Sequence, residues 1–196
     1  TGLYNKDQFY VETYKILHRN ADVPYCMLCS NIRDFKFVNE LFGIEKGNEI
    51  LLKQADIIKK HAVDGYLYGR VGEDHFVVIA DEATFNEEHL YECRETLQNV
   101  LSDSVYNVRV CFGIYRTDNM NESLSFMCDK ASFAVASIKD DTHSFIAYYD
   151  DTMLEAAIKY KTIVDEFDDV KVIYPIHMNP RVREVANEVF GDADRV

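Results

Sequence analysis

An α+β domain, with a mostly antiparallel sheet flanked by helices, is the fold class this sequence predicts. Three observations carry the prediction. Some stretches repeat apolar residues at helical spacing, while others are short apolar runs of strand length. Two of the short runs flank Gly72-Glu73-Asp74 as the arms of a hairpin would. The resulting order is α-β-α-α-β-β-α-β-α-β, which suits a ferredoxin-like core.

Each element has its own warrant. Residues 6–19 place Phe9, Tyr10, Tyr14, Ile16 and Leu17 at helical spacing, with Asn5 positioned to cap the first turn. Pro24 precedes the apolar run 25–32, which reads as a buried strand. Asp34 opens a short helix through residue 42, acting as its cap, and residues 46–62 form a longer helix. Strands at 66–71 and 75–79 make the hairpin, with His75 alternating on the second arm. A helix near 86–101, a strand at 107–115, a helix at 122–139 and a strand at 144–149 complete the order. Tyr66, Tyr68, Phe76, Tyr148 and Tyr149 fit alternating strand faces rather than a base-stacking platform.

Bulk properties narrow the function. With 196 residues, 47% of them hydrophobic, the chain can bury a core and carry an appendage. Its net charge of −13 disfavours a nucleic-acid polymer, which needs Lys and Arg to displace counterions. A mononucleotide held by a few local cations remains compatible. Cys26, Cys29, Cys93, Cys111 and Cys128 show no framework spacing, so reduced, buried thiols of a cytoplasmic protein are expected. Cys26-Met27-Leu28-Cys29 is formally C-x-x-C, but it lies inside the apolar strand and reads as core. No apolar run is long enough for a membrane span, and no membrane contact is expected of this stretch.

The segment Arg70-Val71-Gly72-Glu73-Asp74-His75-Phe76 resembles an eroded Gly-Gly-Asp-Glu-Phe signature. Around it, Thr1-Gly2-Leu3-Tyr4-Asn5 resembles T-G-L-x-N, and residues 31–48 resemble D-x-D-x-F-K-x-[IV]-N-D-x-x-G-H-x-x-G-D at Phe35, Lys36, Val38, Asn39, Gly43 and Gly47. Val110-Cys111-Phe112-Gly113-Ile114, the stretch 134–139 and Ala147-Tyr148-Tyr149-Asp150 match later family positions. Residues 1–150 are thereby identified as similar to the GGDEF domains, which condense two GTP molecules into cyclic di-GMP. The resemblance implies the GGDEF fold, akin to nucleotidyl cyclases and the polymerase palm.

Cyclic di-GMP synthesis is attack of a ribose hydroxyl on an α-phosphate, a displacement suited to two metal ions held by carboxylates. The resemblance places the Mg²⁺ or Mn²⁺ ligands at Asn31, Ile32 and Asp74, with Asp74 the catalytic carboxylate that is kept. Asn31 offers only a neutral amide. Glu73 replaces a glycine at the hairpin tip, adding bulk, restricting the turn and bringing negative charge near a triphosphate. One repulsive unit pair at close range is worth roughly 4 kcal/mol at a surface-like dielectric, about a thousandfold in rate. The resemblance also assigns guanine recognition to Asn39 and Asn48, the latter an Asp in the family, and phosphate contacts to Lys36 and Lys139. His143 stands where the family has Arg, and Arg33 with Lys36 is either an anion site or a solvated face. The family's inhibitory R-x-x-D reads Val63-Asp64-Gly65-Tyr66, so feedback binding of cyclic di-GMP is not expected.

The expected organisation is a GGDEF-like domain over 1–150, a linker helix over 151–167 and an appendage over 168–196. Tyr174-Pro175-Ile176-His177-x-Asn179-Pro180 makes residues 168–195 similar to a piece of UDP-N-acetylglucosamine 2-epimerase, with a strand at 170–174 and a helix at 181–190. About thirty residues cannot supply that enzyme's two halves, so a junction between unrelated genes is the reading. The lead-in expected before Thr1 is missing, which reads as a cut at a domain boundary.

The expected function is a degenerate, catalytically impaired GGDEF module that binds GTP or dimerises. Its parent would carry a sensor or an EAL-type phosphodiesterase. A weak diguanylate cyclase and a nucleotide-independent interaction domain are the alternatives.

Overall fold

The computed structural model describes residues 1–19, 23–62, 66–101, 106–117, 122–139 and 141–165. The epimerase-like stretch 168–195, with its expected strand and helix, lies outside them, as do Val63, Asp64 and Gly65 of the inhibitory-site position. Residues Thr1–Leu154 form one compact unit and Glu155–Val196 a second. The second is described only in the continuation of a helix that ends at Asp165.

The first unit begins with α1 (Lys6–Arg19), β1 (Tyr25–Ile32), α2 (Phe35–Phe42) and α3 (Ile44–His61). The hairpin β2 (Leu67–Arg70) and β3 (Phe76–Asp81) follows, then α4 (Glu88–Asn99), β4 (Val110–Arg116), α5 (Leu124–Ser137) and β5 (Ile146–Tyr148). Helix α6 (Asp151–Asp165) closes the described chain. The sheet order is β2-β3-β1-β4-β5, antiparallel throughout except for the parallel pair β4–β5.

Strand β1 is central and has both faces covered. Cys26, Leu28 and Ile32 enter one apolar cluster with Ile50, Leu51 and Leu97 from α3 and α4. Tyr25, Met27 and Cys29 enter another with Phe9 and Leu17 of α1 and Met127 of α5. Period-2 alternation therefore sends Cys26 and Cys29 to opposite faces, which rules out a shared metal or disulfide. Burial pushes the Cys26 thiol up to about 11 and Cys93 to about 12. Both are inert thiols of the interior.

Local signals act largely as expected. The Asn5 Oδ1 accepts the Gln8 N–H at 2.9 Å, and Ser123 Oγ accepts the Phe126 N–H at 3.3 Å ahead of α5. Asp34 holds the cap position of α2 but differs from expectation. It is left-handed, φ 54°, a conformation Asp tolerates, and its side chain makes no capping bond. Helix α3 begins two residues early because the Gly43 carbonyl already accepts from Gly47 N–H at 3.2 Å.

Candidate functional site

The chemistry-bearing residues gather where β1 ends beside the β2–β3 turn. Val71 N–H donates to the His75 carbonyl at 2.9 Å, closing the turn and leaving His75 ahead of β3. This corrects the expected strand position of His75. Arg70 braces the tip from inside: its Nε donates to the carbonyls of Gly72 at 3.2 Å and Glu73 at 3.0 Å, and its Nη2 also bonds the Glu73 carbonyl. An arginine preceding a turn whose carbonyls have no ladder partner was the available signal for this brace. Asp34 is the sole non-glycine with positive φ among the described residues. The Glu73 backbone is therefore ordinary, and the turn does not need a glycine there. Its exposed side chain leaves charge as the remaining objection.

Asp74 is 7% exposed, and its carboxylate is well satisfied. Oδ2 accepts from the Asn31 side-chain Nδ2 at 2.9 Å and from the Ile32 backbone N–H at 3.1 Å. Oδ1 lies 3.2 Å from His75 Nδ1, and His75 Nε2 lies 3.1 Å from Asn31 Nδ2. One tautomer fits all three contacts: Nδ1–H donates to Asp74 while Nε2 accepts from Asn31. The bond that His75 donates to Asp74 raises the His75 pKa above the ordinary value, against an opposing effect of burial.

This donor set does not fit a protein-held Mg²⁺ or Mn²⁺. Hard cations need several charged or carbonyl oxygens. Here one carboxylate stands alone, and both the Asn31 side-chain nitrogen and the Ile32 N–H donate to it. Among the described residues no three His, Cys, Asp or Glu side chains come together.

A cavity of about 380 Å³ opens beside this triad, lined by Asn31, Arg33, His75, Cys111, Ser132 and Lys139 among others. Lys139 thus shares a wall with the triad. Lys36, Asn39 and Asn48 do not line it; they sit on α2 and α3. Lys36 is an outward side chain, 91% exposed and 4.0 Å from Glu40. Asn39 packs over Gly47 so closely that a Cβ there would fall 1.9 Å from its Oδ1. A close helix–helix approach, rather than turn geometry, therefore accounts for that glycine. Asn48 is exposed. Arg33 lines the cavity, and its Nη2 donates to the Ile138 carbonyl at 2.6 Å and the Asp141 carbonyl at 3.0 Å, tying the end of β1 to the end of α5.

The family model described as "Diguanylate cyclase, GGDEF domain" matches residues 1–144. The chain belongs to the GGDEF family. The diguanylate cyclase DgcM of Escherichia coli K12 is 35% identical over 81 residues, 40% of this chain and 20% of that protein. The UDP-N-acetylglucosamine 2-epimerase of Bacillus subtilis is 61% identical over 36 residues, 18% of this chain and 10% of the enzyme, a short fragment. The chain thus spans a tenth to a fifth of the length of these curated relatives. Among solved structures, the GGDEF domain of PA1120 from Pseudomonas aeruginosa superposes with TM-score 0.64 at 18% identity, covering 81% of this chain and 96% of that one. The active GGEEF domain of a Vibrio cholerae diguanylate cyclase gives 0.61 at 18%, covering 76% and 98%. At such identity the likeness is one of fold. No described helix of this GGDEF chain is long and apolar enough to cross a membrane.

Proposed function

We propose that this GGDEF domain is a regulatory module of cyclic di-GMP signalling, impaired as a diguanylate cyclase and acting through GTP binding or dimerisation. The observation that carries the reading is the Asn31–Asp74–His75 arrangement. The carboxylate that family chemistry gives to a metal is here saturated by an amide, a backbone N–H and an imidazole. Without a paired carboxylate the site lacks the charge to hold the cation that would neutralise a triphosphate undergoing displacement. Glu73 at the tip adds repulsion of the same sign. In this reading Asn39 and Asn48 contact guanine and Lys36 and Lys139 the phosphates. Any Mg²⁺ or Mn²⁺ arrives with the nucleotide. The parent protein is cytoplasmic or has its GGDEF part on the cytoplasmic side, joined to a sensor or an EAL-type phosphodiesterase. Residues 1–150 form the module, 151–167 its linker and 168–196 a separate appendage.

The test is incubation of concentrated protein with GTP and Mg²⁺ or Mn²⁺, followed by chromatography of the nucleotides. Recovery of intact GTP, with a GTP-dependent rise in melting temperature, is the expected result. Cyclic di-GMP formed at rates typical of intact family members overturns the impaired reading. Absence of any nucleotide-dependent stabilisation overturns the GTP-binding one.

A further inference from the structure

Three sulfur atoms meet on the face of β1 that packs against α1 and α5. Met27 and Cys29 are two residues apart, so strand alternation sends both to that face, where Cys128 of α5 joins them in one buried apolar cluster. The Cys128 Sγ lies 3.8 Å from the Met27 Sδ. The Cys29 Sγ lies 3.5 Å from the Cys128 carbonyl oxygen, and the two thiols hydrogen-bond each other. Cys128 is therefore in contact with both of the other sulfurs.

This spacing is that of ligands around one ion. Two sulfurs bound to a metal at about 2.3 Å and set about 120° apart are about 4.0 Å from each other. Two thiols and a thioether are soft, polarizable donors, a set that selects Cu(I). A shell of three also suits a monovalent ion better than Zn²⁺, which takes four ligands.

The surroundings support the same role. The hydrogen bond from Cys29, joined by one from the Tyr10 hydroxyl, holds the Cys128 thiol below its usual range against the effect of burial, and the Lys6 charge adds to this. Lys6 Nζ stands 5.8 Å over the Tyr10 ring. The Tyr10 bond is the kind of outer contact that orients a metal ligand. Cys29 is held well above the usual range by its bond to Cys128 and by burial, so it remains a thiol until a metal displaces its proton. Access comes from the 380 Å³ cavity, whose wall includes Cys29 and Ser132, and Ser132 Oγ donates to the Cys128 carbonyl at 2.8 Å. An ion in that cavity therefore reaches the wall that carries the sulfurs.

We propose that Met27, Cys29 and Cys128 form a binding site for a soft monovalent cation, Cu(I), held in trigonal geometry by two thiolates and a thioether. Binding passes the two thiol protons to solvent and changes no oxidation state. The site does not depend on GTP being bound.

The experiment is an anaerobic titration of the full chain against a chromophoric Cu(I) chelator, with Cu(I) as probe and Zn²⁺ for comparison. The protein is expected to withdraw one equivalent of Cu(I), and X-ray absorption should show a shell of sulfur at about 2.3 Å. Cys29→Ser and Cys128→Ser should each weaken binding about a hundredfold, and Met27→Leu, which keeps the core volume, about tenfold. Cys111→Ser, which alters a thiol of the cavity wall on β4, should leave it unchanged. Circular dichroism checks that each variant is folded, and Met27→Leu carries the test if a serine variant is not. No withdrawal of Cu(I), a shell of nitrogen or oxygen, or Zn²⁺ held as tightly as Cu(I) overturns the site. So does binding untouched by Met27→Leu, or binding lost in Cys111→Ser and kept in Cys128→Ser, which would put the ion in the cavity instead.

Discussion

Substituting Asn31→Asp should make the stability of this domain depend on divalent cations. The Asn31 Nδ2 sits 2.9 Å from Asp74 Oδ2, so the variant sets two carboxylates against each other in a largely buried corner. With a separation relaxed to about 4 Å, two unit charges repel by roughly 4 kcal/mol at an effective dielectric of about 20. The pair can escape by sharing a proton. Raising one carboxyl from near 4 to near 7 costs about the same at pH 7, so roughly 4 kcal/mol is also the ceiling. At about 2–4 °C per kcal/mol for a chain of this size, melting should fall by roughly 8–16 °C in EDTA. Millimolar Mg²⁺ or Mn²⁺ should restore much of that loss, because a cation now finds two carboxylates, while the parent protein should barely respond. The assay is differential scanning calorimetry of both proteins, with and without metal. An Asn31→Asp protein that melts like the parent in EDTA, or ignores the metal, would refute the geometry argued for this corner.

Other consequences follow from single contacts. The raised His75 pKa means that the charged imidazolium beside Asp74 adds stability below the ordinary His pKa, and this increment is lost as pH rises through the folded value. His75→Ala should therefore lower the melting temperature more at pH 5.5 than at pH 8, and a gap that widens at pH 8 would contradict this. Gly113→Ala would put a Cβ 2.0 Å from the Ala131 carbonyl oxygen on α5, an approach backbone cannot easily yield. Denaturant titration should show a loss of at least roughly 2 kcal/mol. Lys130 and Glu122 form a 2.7 Å pair only 12% and 11% exposed. Lys130→Ala should cost about 3–5 kcal/mol by stranding a buried carboxylate, and Lys130→Met with Glu122→Leu should recover most of it, both read by chemical denaturation.

Much of the fold was legible because it rests on local periodicity. The run 25–32 is apolar on both faces, and in the structure each face meets its own helix layer. Boundaries were less legible. The strand expected at 107–115 begins at Val110, because its ladder with Ile32 sets where pairing starts. Nothing within residues 107–109 signals that. The parallel pairing of β4 with β5 likewise depends on where the α5 crossover returns the chain.

The site divides along the same line. Sequence alone determined the residue types: an amide at 31, a lone carboxylate at 74, a histidine at 75 and an arginine at 33. Covalent order fixes which groups exist and what charge each can carry. The tertiary structure decided what those groups do. It turned the Asn31 nitrogen and the Ile32 N–H onto Asp74, committed Arg33 Nη2 to two carbonyls, and left Lys36 in solvent. It also brought Arg33, Arg94 and Arg109, spread over 77 positions, to the walls of one cleft. Hydrogen bonds and Coulomb forces act over a few ångströms of space, and only the folded sheet sets those distances between residues far apart in the chain.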